Sequence, residues 1–223
     1  MSTYQPKTGV IFDLDGTLLD TLADLTDSVN QTLMHFGYKA RSLDEIKSFV
    51  GSGIKKIIKK ALPVELKSED FACYLSYFLK HYSKNLKNKT KPYSGVLRML
   101  KQLKDDAIPL AIVSNKYQEG VETLRNSFFA DTVNIAIGNQ DGMMPKPAPD
   151  SLYLAICKLG LDANKDRIFF VGDSEIDILT SRNANIPIIA VTWGFRTEEQ
   201  LAALNPAYLV NKPEEVIKII KKM

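Results

Sequence analysis

From Pro92 to its end the chain alternates between apolar runs of strand length and stretches of helical periodicity, and that alternation narrows the possible folds more than any other feature. The spacing predicts helices over 94–104, 119–127, 150–159, 177–184 and 213–222, with strands over 108–113, 133–137, 167–171, 188–191 and 206–210 between them. Apolar strands separated by helices cannot pair as hairpins. They imply a parallel sheet with helices on both faces, an α/β class. Such sheets bind ligands beyond the carboxyl ends of their strands.

One more strand lies near the N-terminus. The run Val10-Ile11-Phe12 is β-branched and aromatic, as a buried strand should be, and it stops in Asp13-Leu14-Asp15-Gly16-Thr17. Two carboxylates at such a position repel each other unless a cation or a proton is shared. The segment between this strand and Pro92 carries no strand pattern. Leu22, Leu25, Val29, Leu33 and Phe36 recur at helical spacing over 20–36, Gly37 stops the run, and helices follow over 42–50, 53–62 and 68–86, the last with Ser68-Glu69-Asp70 as its cap. Residues 20–89 therefore read as an all-helical unit inserted after the first strand.

Three loops should meet at the carboxyl edge of the sheet: 13–17, 114–116 and 172–177. They bring Asp13, Asp15, Asp173 and Asp177 together with few compensating charges close by in sequence. Hard oxygen ligands suit Mg²⁺, and the absence of imidazole or thiolate from these loops argues against zinc. Ser114 and Asn115 supply neutral donors and Lys146, in Pro145-Lys146-Pro147-Ala148-Pro149, a cation, which together would cradle a phosphate.

The motifs Asp13 to Thr17, Ser114-Asn115, Lys146-Pro147 and Gly172-Asp173-Ser174-Glu175-Ile176-Asp177 resemble, in order and spacing, those of the haloacid dehalogenase-like superfamily of phosphohydrolases. Lys116, the run 146–149 and Thr192-Trp193-Gly194-Phe195 are most similar to the phosphoglycolate phosphatase branch. The resemblance implies a Rossmann-like core of residues 1–19 and 90–223 with a helical-bundle cap of 20–89. It implies that Asp13 attacks phosphorus to form an aspartyl phosphate, and that Asp15 serves the leaving oxygen and then the hydrolytic water. Thr17, Ser114, Asn115 and Lys146 would hold the phosphoryl group. Asp13, the Asp15 carbonyl and Asp173 would bind Mg²⁺, with Asp177 behind them orienting waters or Lys146. Gly51-Ser52-Gly53 resembles the cap loop that helps select substrate in relatives. The substrate expected is a small phosphorylated metabolite, phosphoglycolate first. A sugar-phosphate mutase is the competing enzyme, and a non-catalytic phospho-acceptor the competing regulatory protein.

Blander readings apply to the same residues. Asp-Gly is a common turn, Asp173 and Asp177 suit the first turn of a helix, and Gly51-Ser52-Gly53 would serve as a simple turn. His35 and His81 read as surface or packed side chains, Trp193 as packing, and the pairs Lys55-Lys56 and Lys59-Lys60 as a solvated helix face. Cys73 and Cys157 fit no ligand spacing and read as buried reduced thiols. With 45% hydrophobic and 25% charged residues and a net charge of +3, the composition is that of an ordinary globular protein and offers no nucleic-acid surface. No run reaches membrane-span length and residues 1–8 lack a secretory layout, so a cytoplasmic monomer or homodimer is expected, without membrane partners.

Overall fold

The computed structural model describes residues 4–65 and 67–222, the side chains of residues 68 and 69 excepted. Its centre is a six-stranded, wholly parallel sheet in the order β5-β4-β1-β6-β7-β8, formed by Ile135–Asn139, Leu110–Tyr117, Thr8–Phe12, Arg167–Gly172, Ile188–Val191 and Tyr208–Val210. The first strand is central because it pairs on both edges, Val10 with Leu110 on one side and with Phe169 on the other. Val10, Ile11 and Phe12 are fully buried. This near-continuous apolar reading is what a strand covered on both faces requires. Helices α5 (Val96–Asp105), α6 (Gln118–Phe128), α7 (Asp150–Lys158), α8 (Glu175–Ala184) and α10 (Pro213–Lys221) cover the sheet, with the short α9 (Glu198–Ala202) following β7.

The expected alternation is present, with shifted ends. Strand β4 runs through Ser114, Asn115 and Lys116 instead of stopping before them, and its pairing with β5 slips between Val113 and Tyr117. Such a bulge re-aims side chains that a regular strand would alternate. Helix α8 starts at Glu175, two residues earlier than its pattern suggests, because Ser174 caps it and Asp177 closes a capping box. Helix α9 has no counterpart in the sequence reading.

Helices α1 (Leu22–His35), α2 (Leu43–Phe49), α3 (Ile54–Ala61) and α4 (Ser68–Tyr82) follow the first strand and pack on one another through Leu25, Leu33, Ile46, Ile58 and Phe78. Helix α4 begins with Lys67 in the capping position; the side chains of Ser68 and Glu69, on which the expected cap rests, lie outside those described. Two short strands bracket this insert: β2 (Leu19–Asp20) pairs antiparallel with β3 (Lys91–Pro92). Beside them the buried Asp24 carboxylate accepts the backbone N–H groups of Lys89 and Thr90. The two connections to the core are thus tied together at one point.

Both cysteines depart from expectation, being exposed and free. Cys73 lies two residues from Phe71, about 200° around α4 from the buried stripe that Phe71, Phe78 and Tyr82 mark. His35 is a surface side chain stacked on Tyr77, whereas His81 is half-buried against the Ser28 hydroxyl. Lys55, Lys56, Lys59 and Lys60 are exposed. No helix among the described residues is long and apolar enough to cross a membrane.

Candidate active site

A cavity of about 40 Å³ opens where the carboxyl ends of β1 and β4 meet the insert. Its sheet side is formed by Asp13, Asp15, Ser114, Asn115, Lys116, Lys146 and Ser174, and its other side by Leu25, Val50, Gly51, Gly53, Ile54, Ile57 and Tyr82. A water needs roughly 10–15 Å³ of such space, so the cavity holds a few waters or one small polar group.

Asp13 leaves the end of β1 with its N–H on the Val171 carbonyl, and Lys146 reaches its Oδ1 at 2.8 Å. The same ammonium lies 2.6 Å from Asp177 Oδ1. Asp177 is fully buried and its other oxygen accepts the Ser174 N–H and hydroxyl, so its role as an orienter of Lys146 has a geometric basis. Asp173 is fixed from two sides, by the Thr17 hydroxyl at 3.0 Å and the Phe195 N–H at 2.8 Å. Backbone crowds it: a Cβ on Gly16, which sits at φ +92°, would meet Asp173 Oδ2 at 2.3 Å. Only glycine fits there.

The electrostatics follow from burial. Burial raises Asp13 well above the ordinary carboxylate range against the pull of Lys146, with Asp177 and Asp173 adding to the rise. Burial and then Asp177 push Asp173 up to about 7. Burial works against the Lys146 charge, yet Asp13 and Asp177 outweigh it and hold the lysine above its usual range. Asp13, Asp173 and Asp177 each offer an oxygen within 4.8 Å of the others, and among the described residues one ammonium, that of Lys146, pairs within this group, with Asp13 and Asp177. The all-oxygen, doubly uncompensated donor set fits a divalent hard cation. Asp177 gives one oxygen to Lys146 and takes two hydrogen bonds on the other, whereas each Asp173 oxygen takes one hydrogen bond and Asp13 is met by Lys146 through one oxygen, so Asp13 and Asp173 have the greater capacity to hold it.

Two expected phosphate contacts are placed differently. Thr17 gives its hydroxyl proton to Asp173. Asn115 donates both amide hydrogens, to the carbonyls of Gly51 and Lys146, and accepts the Lys146 N–H, so in this arrangement it has no donor left for a phosphoryl oxygen. Its bonds instead join the Lys146 loop to the insert. Ser114 faces the cavity, where its oxygen accepts the Lys116 N–H and its own proton stays available. Gly51 and Gly53 also reach the cavity, at φ +114° and +84°.

Asp15 sits in an unforeseen network. Lys116 Nζ approaches its Oδ1 at 2.9 Å and the Thr21 hydroxyl donates to the same oxygen at 2.6 Å. Lys116 also donates to the Tyr82 hydroxyl at 2.6 Å, and burial carries that phenol up to about 12. Burial opposes the Lys116 charge, but Asp15 and Tyr82 prevail and keep it protonated. Arg196 was missed as well. Paired with Glu175 at 2.7 Å, it donates to the Val50 carbonyl at 2.9 Å, just before the glycine loop. Trp193, which reads as packing, also donates its indole N–H to the Thr17 carbonyl at 2.9 Å.

A sequence profile described as Haloacid dehalogenase-like hydrolase matches residues 10–191. The chain belongs to that family. Its relatives include a phosphoglycolate phosphatase of Mesorhizobium japonicum, 34% identical over 91% of this chain and 89% of the relative. One from Yersinia pseudotuberculosis is 31% identical over 92% and 90%. Among solved structures, a predicted phosphoglycolate phosphatase from Haemophilus somnus superposes with a TM-score of 0.88 at 28% identity, covering 99% of this chain and all of that one. This family member shares its fold with that solved structure.

Proposed function

We propose that the chain is a Mg²⁺-dependent phosphatase of small phosphorylated metabolites, phosphoglycolate first among them, acting through an aspartyl phosphate on Asp13. Kinship to phosphoglycolate phosphatases over some nine-tenths of the chain supports the class, phosphoric monoester hydrolase. The observation that carries the mechanism is the placing of Asp13 and Asp15 in one small cavity with Lys146 at 2.8 Å from the first and Lys116 at 2.9 Å from the second.

On this reading Asp13 Oδ attacks phosphorus as the ester oxygen departs. Lys146 and Ser114 hold phosphoryl oxygens, and Lys146 fixes the attacking carboxylate. Asp15 gives its proton to the departing oxygen and later takes one from the water that cleaves the acyl phosphate. Asp13, Asp173 and the Asp15 carbonyl would hold Mg²⁺, which when bound offsets the negative charge that otherwise repels an anionic ester from a carboxylate. The insert serves as a cap that excludes bulk water, moving about the tied connections at β2 and β3.

A panel of phosphorylated metabolites assayed with and without Mg²⁺ tests the proposal. Metal-dependent phosphate release is expected, and Asp13→Asn should abolish it; substantial activity in that variant overturns the mechanism. Isomerised sugar phosphate without free phosphate would make the enzyme a mutase.

A further inference from the structure

Among the described residues the insert lines the cavity without one charged side chain, so what selects an anionic substrate is sought on the sheet side. Two lysines stand there, and they divide the site. Lys146 lies against the attacking Asp13, whereas Lys116 lies against Asp15, the group facing the departing oxygen. With phosphorus at Asp13 and the ester oxygen at Asp15, the substrate atoms beyond that oxygen fall beside Lys116 and Tyr82. An ammonium has three donors, and the Lys116 hydrogen bonds to Asp15 and Tyr82 use two. The third is left, on a side chain that lines the cavity and is only 4% exposed. Around it stand Leu25, Ile54 and Ile57, an apolar wall against which a charged leaving group without a cation would be costly to bury.

Resting on the phosphatase reading above, we infer that Lys116 recognises a carboxylate on the leaving group, one carbon beyond the ester oxygen. The substrate class stays the one proposed above; what is added is the residue that reads its carboxylate. Tyr82 and the 50–54 loop close the cavity beside Lys116, so a longer acid would have to displace them.

The test compares 2-phosphoglycolate with 2-hydroxyethyl phosphate, the same chain with an uncharged end, in wild type, Lys116→Met and Lys116→Arg with Mg²⁺. Wild type should favour the carboxylate ester by about 10- to 100-fold in kcat/KM, the range a charged hydrogen bond supplies. Lys116→Met lowers turnover of both esters through Asp15, but the ratio between them should collapse towards one, chiefly through KM. Lys116→Arg should restore part of the ratio. An unchanged ratio while both rates fall together assigns Lys116 to Asp15 alone and overturns the inference. A wild type without preference overturns it with no variant needed. Hydrolysis of neither ester, with activity on other phosphates, also overturns it but leaves the phosphatase reading standing; no phosphate release from any ester removes both.

Discussion

Among the described residues every side chain that lines the cavity from the sheet carries a polar group, from Asp13 to Ser174, whereas the insert contributes Leu25, Val50, Ile54 and Ile57 and one hydroxyl, that of Tyr82. The two sides are also held differently. On the sheet side Asp15, Asp173 and Asp177 are each fixed by two or more hydrogen bonds of 2.6 to 3.1 Å, and Asp13 by Lys146 at 2.8 Å. The insert is joined across the cavity by isolated bonds: Asn115 to the Gly51 carbonyl, Lys116 to the Tyr82 hydroxyl and Arg196 to the Val50 carbonyl. Charge stabilisation demands preorganised groups, and admission of substrate demands contacts that can be broken. Damage to the sheet side should therefore appear in kcat, and damage to the bonds across the cavity in KM.

The largest effect expected among supporting residues is at Asp173. Changing it to Asn removes one of the two carboxylates with capacity for a cation, and partners lying further from a metal already cost 10–100-fold when lost. We expect a loss of at least about 100-fold in kcat, partly recovered as Mg²⁺ is raised in a titration of initial rates. A loss confined to KM for the ester would break the division between the two sides. Arg196→Ala should be smaller. It removes the hydrogen bond to Val50 along with the pair to Glu175, and a net bond contribution of about 0.5–1.5 kcal/mol corresponds to roughly 2- to 10-fold. Steady-state kinetics should place that change in KM, and a change in kcat alone would show that the insert takes part in the chemistry.

The same division explains what could be read from the sequence. Asp13, Asp15 and Asp173 were legible because each follows an apolar run, and a parallel sheet brings the ends of such runs to one edge. Lys146 was legible only through its place among the motifs, since nothing in a proline-flanked lysine announces burial. Thr17 and Asn115 were legible as residues of the site but not in role: hydroxyls and amides serve phosphates and neighbouring backbone equally well. The pair of two-residue strands at Leu19 and Lys91 is too short to have any periodicity. Arg196 meets a backbone carbonyl 146 positions away, a contact without side-chain signature in the partner. Lys116 stood in plain view, but a bulge in β4 and the approach of Tyr82 decide where its charge lies.

Whether Asp13 carries the phosphoryl group is decided by Asp15→Asn with p-nitrophenyl phosphate. That leaving group departs without a proton, so the first step survives, while the second step lacks its base. A burst of about one equivalent of nitrophenol followed by slow turnover is expected, with acid-stable phosphoryl label mapping to the peptide that contains Asp13. Linear release without a burst, or label on any other residue, would contradict it.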